Sequence, residues 1–475
     1  MRSMRSVIFR RGALGCAAAM TLLAGSAEGR DAPPLPAAAV AAPRSAPPSG
    51  VEAPQPQTAS ALQTGEGVAT GALVRDPAAL TSWLAQHNQD LLAAAARVRQ
   101  AEAELAQSRL FINPSLNTSL TDAIGRTNPP GLVFSDRSNY VAALSETVEI
   151  GKRGPRIRSA DFRLQSERQS FVDSLSQKVA EARETLVRLA YLKARQGVLE
   201  ESLTGARQIL DLQKSRLENG DLSGSDYDRL LVDTMILESE VARTRADYEV
   251  ALTSCHALLF APCAPPDVDL AALSGAADVP AAPDTEAALA QRPDLRALEL
   301  GRSSAEQEAV LARRRWIPDP TLSVGYTHDN LLISGDQPNM LQYSMSLPLP
   351  VFDRGQHEAR RAEEHAAELE RTADATRARA RADVEALGRR KSFLEKTLRE
   401  FQEQAVPKSK SVLDATVAGV SQGGMSMTDL LLARRTHTDL LLKLMDLQFD
   451  AFSVRNDLRR ALGLDAEVAR ALLGL

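Results

Sequence analysis

Two stretches of the chain change their hydrophobic period in the same way, about 200 residues apart. In the later one, Leu341, Tyr343, Met345, Leu347 and Leu349 are apolar while Gln342, Ser344 and Ser346 lie between them, a period of two that predicts a strand with unlike faces. The alternation runs into Asp353-Arg354-Gly355, and the spacing then becomes helical for tens of residues. The earlier stretch, YVAALSETVEIGKRGPRI, makes the same transition. Each is preceded by another alternating segment. Leu322, Val324 and Tyr326 oppose Thr321, Ser323, Gly325 and Thr327, and Leu116 and Leu120 oppose Ser115, Asn117 and Ser119. Apolar residues facing small polar ones fit a barrel wall with lipid outside and water within; a half-buried sheet in a soluble domain has the same period. Glu146 shares its face with Tyr140, Leu144 and Val148, and is expected at the rim of such a wall, where a charge costs less.

The helical segments are too long for an ordinary globular domain. Gly154 to Gly220 predicts a helix on the order of 100 Å, in which Leu175, Ala182 and Leu189, then Leu203, Leu210 and Leu217, recur as a heptad seam interrupted at Gln196. Helices expected from Pro77 to Phe111 and from Ser225 to Leu259 are each about half that length, so two of them stacked end to end would match the long one. The second half repeats the plan: a helix from Thr285 to Trp316, two strands, a long helix from Gln356 to Val420, and another from Met427. Ala359, Ala362, Ala366, Ala373 and Ala380 on the second long helix permit close helix contacts. Pro114 pairs with Pro320, Gly154 with Gly355, Gly220 with Gly423 and Asp226 with Asp429, at offsets of about 201 to 206 residues, which marks an internal duplication.

Composition agrees. Of 475 residues 44% are hydrophobic, 25% charged and only 4% aromatic, which suits long Ala/Leu/Glu/Arg-rich helices better than a compact aromatic core. A net charge of -5 gives no footing for nucleic acid. At the start, Arg2, Arg5, Arg10 and Arg11 precede an apolar run from Ala13 to Ala24, the pattern of a signal peptide over residues 1–27. The remaining boundaries are a Pro/Ala-rich flexible leader at 28–75, a first repeat at 76–264, a linker at 265–284, a second repeat at 285–464 and a C-terminal tail at 465–475. Past the signal no apolar run reaches the roughly 18 residues of a spanning helix, so a membrane would be crossed only by strands closed into a barrel.

Candidate chemistry is sparse. Cys255 and Cys263 are the cysteines beyond the signal, with His256 beside the first. An oxidising compartment favours a disulfide between them; free thiols, or a Cys/His metal site still short of a ligand, are the other readings. Gly220-Asp221-Leu222-Ser223-Gly224 lacks the strand that precedes a nucleophile elbow, and His357-Glu358 with His365 lacks the second His of a zinc helix. The arginines from Arg371 are too evenly spaced to share one helix face. No catalytic residue, metal site or cofactor is expected, and the chain is not read as an enzyme. ENGDLSGSDYD from Glu218 and SQGGMSMTD from Ser421 each break a long helix with Gly and restart it with Ser, Thr or Asp, a capped helix-turn-helix.

Four phrases together resemble one family. Ser145-Glu146 through Glu149-Ile150-Gly151-Lys152-Arg153 closes the first pair of strands, Leu347-Pro348-Leu349-Pro350-Val351-Phe352-Asp353-Arg354-Gly355 closes the second, Gln291-Arg292-Pro293-Asp294-Leu295 opens the second repeat, and the helical tips come as a pair. From about residue 76 to 464 the chain resembles the TolC-like outer-membrane factors, most closely their cobalt-zinc-cadmium branch. A single Gly151 stands where that branch usually has two glycines. The resemblance implies a mainly α fold with a membrane β-barrel: a duplicated repeat of long coiled-coil helices and two strands, forming in a homotrimer a 12-stranded barrel continuous with a periplasmic α-helical barrel. It implies an outer-membrane exit duct of a tripartite efflux pump, passively conducting its cargo, which in that branch is divalent heavy-metal cations. The partners implied are a periplasmic adaptor protein, an inner-membrane RND-type transporter and outer-membrane lipid. Asn219, Gly220, Asp221, Asp226, Asp228, Gly423, Gly424 and Asp429 would form the channel mouth and adaptor contact, with three copies of the first-repeat carboxylates ringing it. Gly151, Lys152, Arg153, Asp353, Arg354 and Gly355 would form the strand-to-helix junctions. The alternatives are a periplasmic adaptor, a structural coiled-coil protein of the envelope, or the same duct serving drug efflux or type I secretion. Adaptors carry one hairpin within small β-domains, whereas this chain has a duplication with amphipathic strands.

Overall fold

A computed structural model describes residues 63–64, 67–68, 70–122, 138–266, 279, 284–330 and 338–473. The expected signal peptide and most of the expected leader and linker lie outside these residues. Two short strands, Gln63–Thr64 (β1) and Gly67–Val68 (β2), pair antiparallel. The first repeat then runs Thr70–Arg75 (α1), Pro77–His87 (α2), Gln89–Ser108 (α3), Ser115–Asp122 (β3), Ser138–Thr147 (β4), Arg153–Glu218 (α4) and Gly224–Leu259 (α5). The second runs Thr285–Gln291 (α6), Pro293–Arg313 (α7), Thr321–Asp329 (β5), Asn339–Ser346 (β6), Gln356–Glu400 (α8), Val406–Ser421 (α9) and Met427–Ala461 (α10), followed by Asp465–Leu473 (α11).

Helix α4 has 66 residues, which is on the order of 100 Å. It is covered by pairs of shorter helices on its two sides: α3 and α5 on one, α7 and α10 on the other. Helix α8 packs in turn against α7 and α10. The five alanines anticipated as contact positions on α8 are all buried. The heptad seam of α4 needs correction. Leu175, Ala182, Leu189 and Leu203 are buried, but Leu210 and Leu217 are only partly so, and beyond Gln196 the burial passes to Leu199, Ile209 and Gln213. A strict seven-residue repeat drifts by about 20° per heptad on a straight helix, and α4 is gripped from two sides rather than along one seam.

Two expected helices are interrupted where the stacked pairs meet. The segment from Pro77 to Phe111 breaks at Asn88, whose carbonyl oxygen caps α3 by accepting from Leu91 N while its amide donates to Leu258 O at the end of α5 (2.9 Å). Trp83 Nε1 donates to Leu259 O and Thr70 Oγ1 to Ala264 O. The segment from Thr285 to Trp316 breaks at Arg292, which donates to Ala461 O at the end of α10 (2.7 Å) and grips Asp294 with two further bonds. In both repeats, then, the last carbonyls of the incoming helix, which lack intrahelical partners, are met by side chains from the start of the next. Burial, with Asp294 close by, pushes the nearby Asp173 carboxyl on α4 up to about 6.

The main core sits around the first joint and joins α1, α2, the middle of α4, the end of α5, α10 and α11. Cys255 and Cys263 are disulfide-bonded there, with Cα atoms 6.1 Å apart. Leu73 and Val74 are 0% and 2% exposed in this core, so the chain is already folded at Thr70, inside the stretch read as a leader. The expected C-terminal tail is likewise a helix. Asp465 at its start is 3% exposed and takes bonds from Arg183 (1% exposed) on α4 and Arg459 on α10, while Asn456 bridges Arg183 and Ala180 O. The second long helix continues to Ser421 through one turn of π-helix, Phe401–Ala405, just before Pro407. Proline lacks an N–H and crowds the carbonyl four residues back; a wider turn absorbs both.

Strands β3-β4-β5-β6 form one antiparallel sheet in chain order. Leu116, Leu144, Val324 and Tyr343 lie in one cross-strand row, all exposed, and Ser115, Ser145, Ser323 and Ser344 form a row on the opposite face. Ser145 donates to Ser323 (3.0 Å), and Thr147 bonds Thr321 (2.9 Å).

Because Arg183 is buried, Asp465→Ala should cost about 3–5 kcal/mol by leaving that guanidinium without its counter-charge. Denaturant unfolding of the detergent-extracted protein measures this, with limited proteolysis expected to release residues 465–473 first. A loss below about 1 kcal/mol would show that Asn456 alone holds the arginine.

Candidate functional site

The expected junction residues occupy the boundary between sheet and helices, and the two repeats turn the corner with the same backbone device. Gly151 and Gly355 have φ of 71° and 76°, left-handed values that residues with a Cβ rarely adopt. Gly355 is therefore matched by Gly151 rather than by Gly154, which lies inside α4; the offset becomes about 204 residues, in line with the two tips. Around the first corner Lys152 Nζ meets Asp319 Oδ2 at 2.6 Å, and Ile150 N donates to Asp319 Oδ1 at 3.0 Å. Arg314 donates to Gly151 O. Both contacts join the first repeat to the second. Arg153 donates to Arg109 O and lies 4.2 Å over the Phe111 ring. Arg156 bonds Ser108 O, Leu110 O and Glu149. At the second corner Asp353 Oδ1 accepts from Gly355 N and Gln356 Oε1 from Arg354 N, while the Arg354 side chain is exposed. Neither Asp319 nor Arg314 was singled out from the sequence for this role; the Asp319-Pro320 step before β5 was the only local sign.

At the far end the two tips are also matched turns. Asn219 ends α4, Gly220 has φ of 80°, and Ser223 caps α5 by accepting from Asp226 N (3.2 Å). In the second tip Gly423 has φ of 75°, and Ser426 and Asp429 form a reciprocal capping box. Bonding from Ser426 holds the Asp429 carboxyl below its usual range. Gly424 N donates to Gly419 O (2.9 Å). Asp221, Asp226 and Asp228 are all exposed, and Asp226 lies 3.9 Å from Arg229. Arg435 on α10 meets Asp233 on α5 at 3.3 Å, tying the first-repeat hairpin to the second on the way to these ends. Among the described residues no group of three or more His, Cys, Asp or Glu side chains could hold a metal ion, and no helix is long and apolar enough to cross a membrane.

A four-stranded sheet with unlike faces, carried on paired helices of duplicated plan, defines a wall-and-rod protein. The chain belongs to the outer membrane efflux protein family, whose sequence profile matches residues 80–255 and 285–464. It is similar to the nickel and cobalt resistance protein CnrC of Cupriavidus metallidurans, 27% identical over 300 residues, which cover 60% of this chain and 66% of that protein. It is also similar to the nickel-cobalt-cadmium resistance protein NccC of Alcaligenes xylosoxydans xylosoxydans, 25% identical over 56% of this chain and 59% of that one. The matches thus span less than two thirds of these relatives. The crystal structure of CusC has the same fold, with a TM-score of 0.68 at 17% identity, covering 82% of this chain and 92% of that one.

The glycines separate fit from strain. A Cβ on Gly355 would lie 2.1 Å from Ala312 O, whereas Gly220 and Gly423 have nothing within 4 Å. Gly355→Ala should therefore abolish recovery of folded protein in the outer-membrane fraction, while Gly220→Ala or Gly423→Ala should cost only the left-handed backbone, about 1–2 kcal/mol. Equal losses at all three positions would mean that the clash at the junction relaxes freely.

Proposed function

We propose that this protein is the outer-membrane exit duct of an efflux pump, acting as a trimer through which cargo passes without chemistry. The observation that carries the reading is the four-stranded sheet: its apolar face is exposed, its other face carries Ser, Thr, Asn and Gly with Val141, Ala143 and Met340 among them, and neither β3 nor β6 has a further strand partner among the described residues. Four strands are too few for a membrane barrel, whose lower limit is about eight; three copies supply twelve. In such a barrel Leu116, Leu144, Val324 and Tyr343 face lipid and the serine row faces water. Glu146 pairs with Leu322 one step from the helix-proximal end of the sheet, the rim position where a charge is tolerated. The helices extend the passage into the periplasm, and the paired tips form its mouth. A periplasmic adaptor and an RND-type inner-membrane transporter supply contact and energy, as the family resemblance implies. Divalent heavy-metal cations are the proposed cargo, on the strength of the nickel, cobalt and cadmium resistance relatives and the exposed carboxylates of the first tip.

Two experiments test this. The protein should fractionate with outer membranes and remain a trimer in detergent. Val324→Arg should then cost about 2–4 kcal/mol near mid-bilayer and Met345→Arg, in the same cross-strand row as Glu146 at the rim, less, whereas Ser323→Arg or Ser344→Arg should fold nearly normally and alter conductance. Equal damage on both faces would indicate a sheet buried on both sides.

The second concerns the mouth. Each exposed carboxylate is screened within about 8 Å at physiological salt, but copies around a narrow opening act together. Asp221→Asn combined with Asp226→Asn should lower the cation selectivity of the reconstituted channel without affecting assembly, read as a shifted reversal potential in a salt gradient. An unchanged potential in an assembled trimer would reduce these residues to turn formers.

A further inference from the structure

The segment that follows β6 carries an exposed aromatic with no use inside the protomer. Phe352 is 92% exposed, and Leu349 and Val351 beside it are exposed as well. On the opposite flank, at the same end of the sheet, an open groove of about 830 Å³ is lined by Ala103, Glu104, Leu110, Phe111, Ile112 and Arg156, among others. Phe111 is itself 72% exposed, with one ring face taken by Arg153. Each flank therefore presents apolar area of the kind that marks an interface.

Topology says what covers it. Strand β3 starts at the helix end of the sheet and β6 finishes there, and among the described residues the two are its edge strands. If β6 of one copy pairs with β3 of the next, the pairing is antiparallel like every other in the sheet, and it sets the residues after Ser346 beside the residues before Ser115. These are the knob and the groove. The contact joins unlike surfaces of identical chains, the head-to-tail kind that closes into rings.

We infer that Phe352 is an intersubunit anchor, seated in the Ala103–Ile112 groove of the adjacent copy, where it locks the corner between sheet and helices once the strands have paired. This rests on the trimer reading above. The corner then has two locks: Gly355 closes it within a protomer, and Phe352 closes it between protomers. Because Phe352 contributes almost nothing to the protomer's own core, its replacement should spare folding and weaken assembly.

The test places the photo-reactive p-benzoylphenylalanine at position 352 of the full-length protein and irradiates intact outer membranes. The expected result is covalent dimers and trimers, with the adduct mapped by mass spectrometry to residues 100–113 or Arg156 of another copy. In parallel, Phe352→Ala should lower the temperature at which the detergent-extracted trimer dissociates, and Phe352→Leu should restore most of the shift. A stable trimer whose adducts lie on lipid, on another protein or within the same chain would overturn the anchor and leave the trimer standing. A protein that is monomeric before any substitution would overturn both.

Discussion

A helix of 66 residues exposes flanks that none of the helices packed against it is long enough to cover alone, and the rest of the protomer is arranged around that mismatch. On each side two shorter helices meet end to end along α4, and each meeting point buries the carbonyls that a helix leaves unpaired at its last turn. An unsatisfied buried carbonyl costs about 1–3 kcal/mol, so the joints need donors. Asn88 and Trp83 provide them in the first repeat and Arg292 in the second. The chemistry differs between the repeats while the task is the same. This is the expected outcome when two copies of one plan diverge under a constraint on hydrogen bonding rather than on residue identity.

The first joint also gathers most of the stabilising structure. The principal apolar core, the Cys255–Cys263 disulfide and the buried Arg183–Asp465 pair all lie along this middle section of the rods. Towards the tips burial thins to scattered positions such as Ile209, Gln213, Leu430 and Ala433. A rod that is firmly packed at its middle and sparsely packed at its end has its lowest local stability at the tips.

At the other end, the junction converts a strand direction into a helix direction within a few residues, twice. Left-handed glycines make the turn, and Lys152–Asp319 and Arg314–Gly151 brace one repeat against the other. That bracing fixes the sheet relative to the rods within the protomer.

Much of this was legible in the sequence because it is periodic. Alternation in Thr321–Thr327 and from Leu341 to Leu349 predicted strands with unlike faces, although β6 ends at Ser346, before Leu347 and Leu349; the helical stretches predicted rods of about 100 Å, and the spaced glycines and prolines exposed the duplication. Local pattern dictates these features, since side-chain direction follows backbone period. What only the tertiary structure decided depends on contacts between residues far apart in the chain. The helix breaks at Asn88 and Arg292 exist because those side chains serve carbonyls about 170 residues away. The segments at 70–75 and 465–473 looked like a leader and a tail because each is too short to show a period, yet Leu73, Val74 and Asp465 are buried by distant partners. The pairing of Gly355 with Gly151 rather than Gly154 was hidden for a related reason: sequence records which residues are glycine, but only the folded backbone shows which of them must turn left-handed.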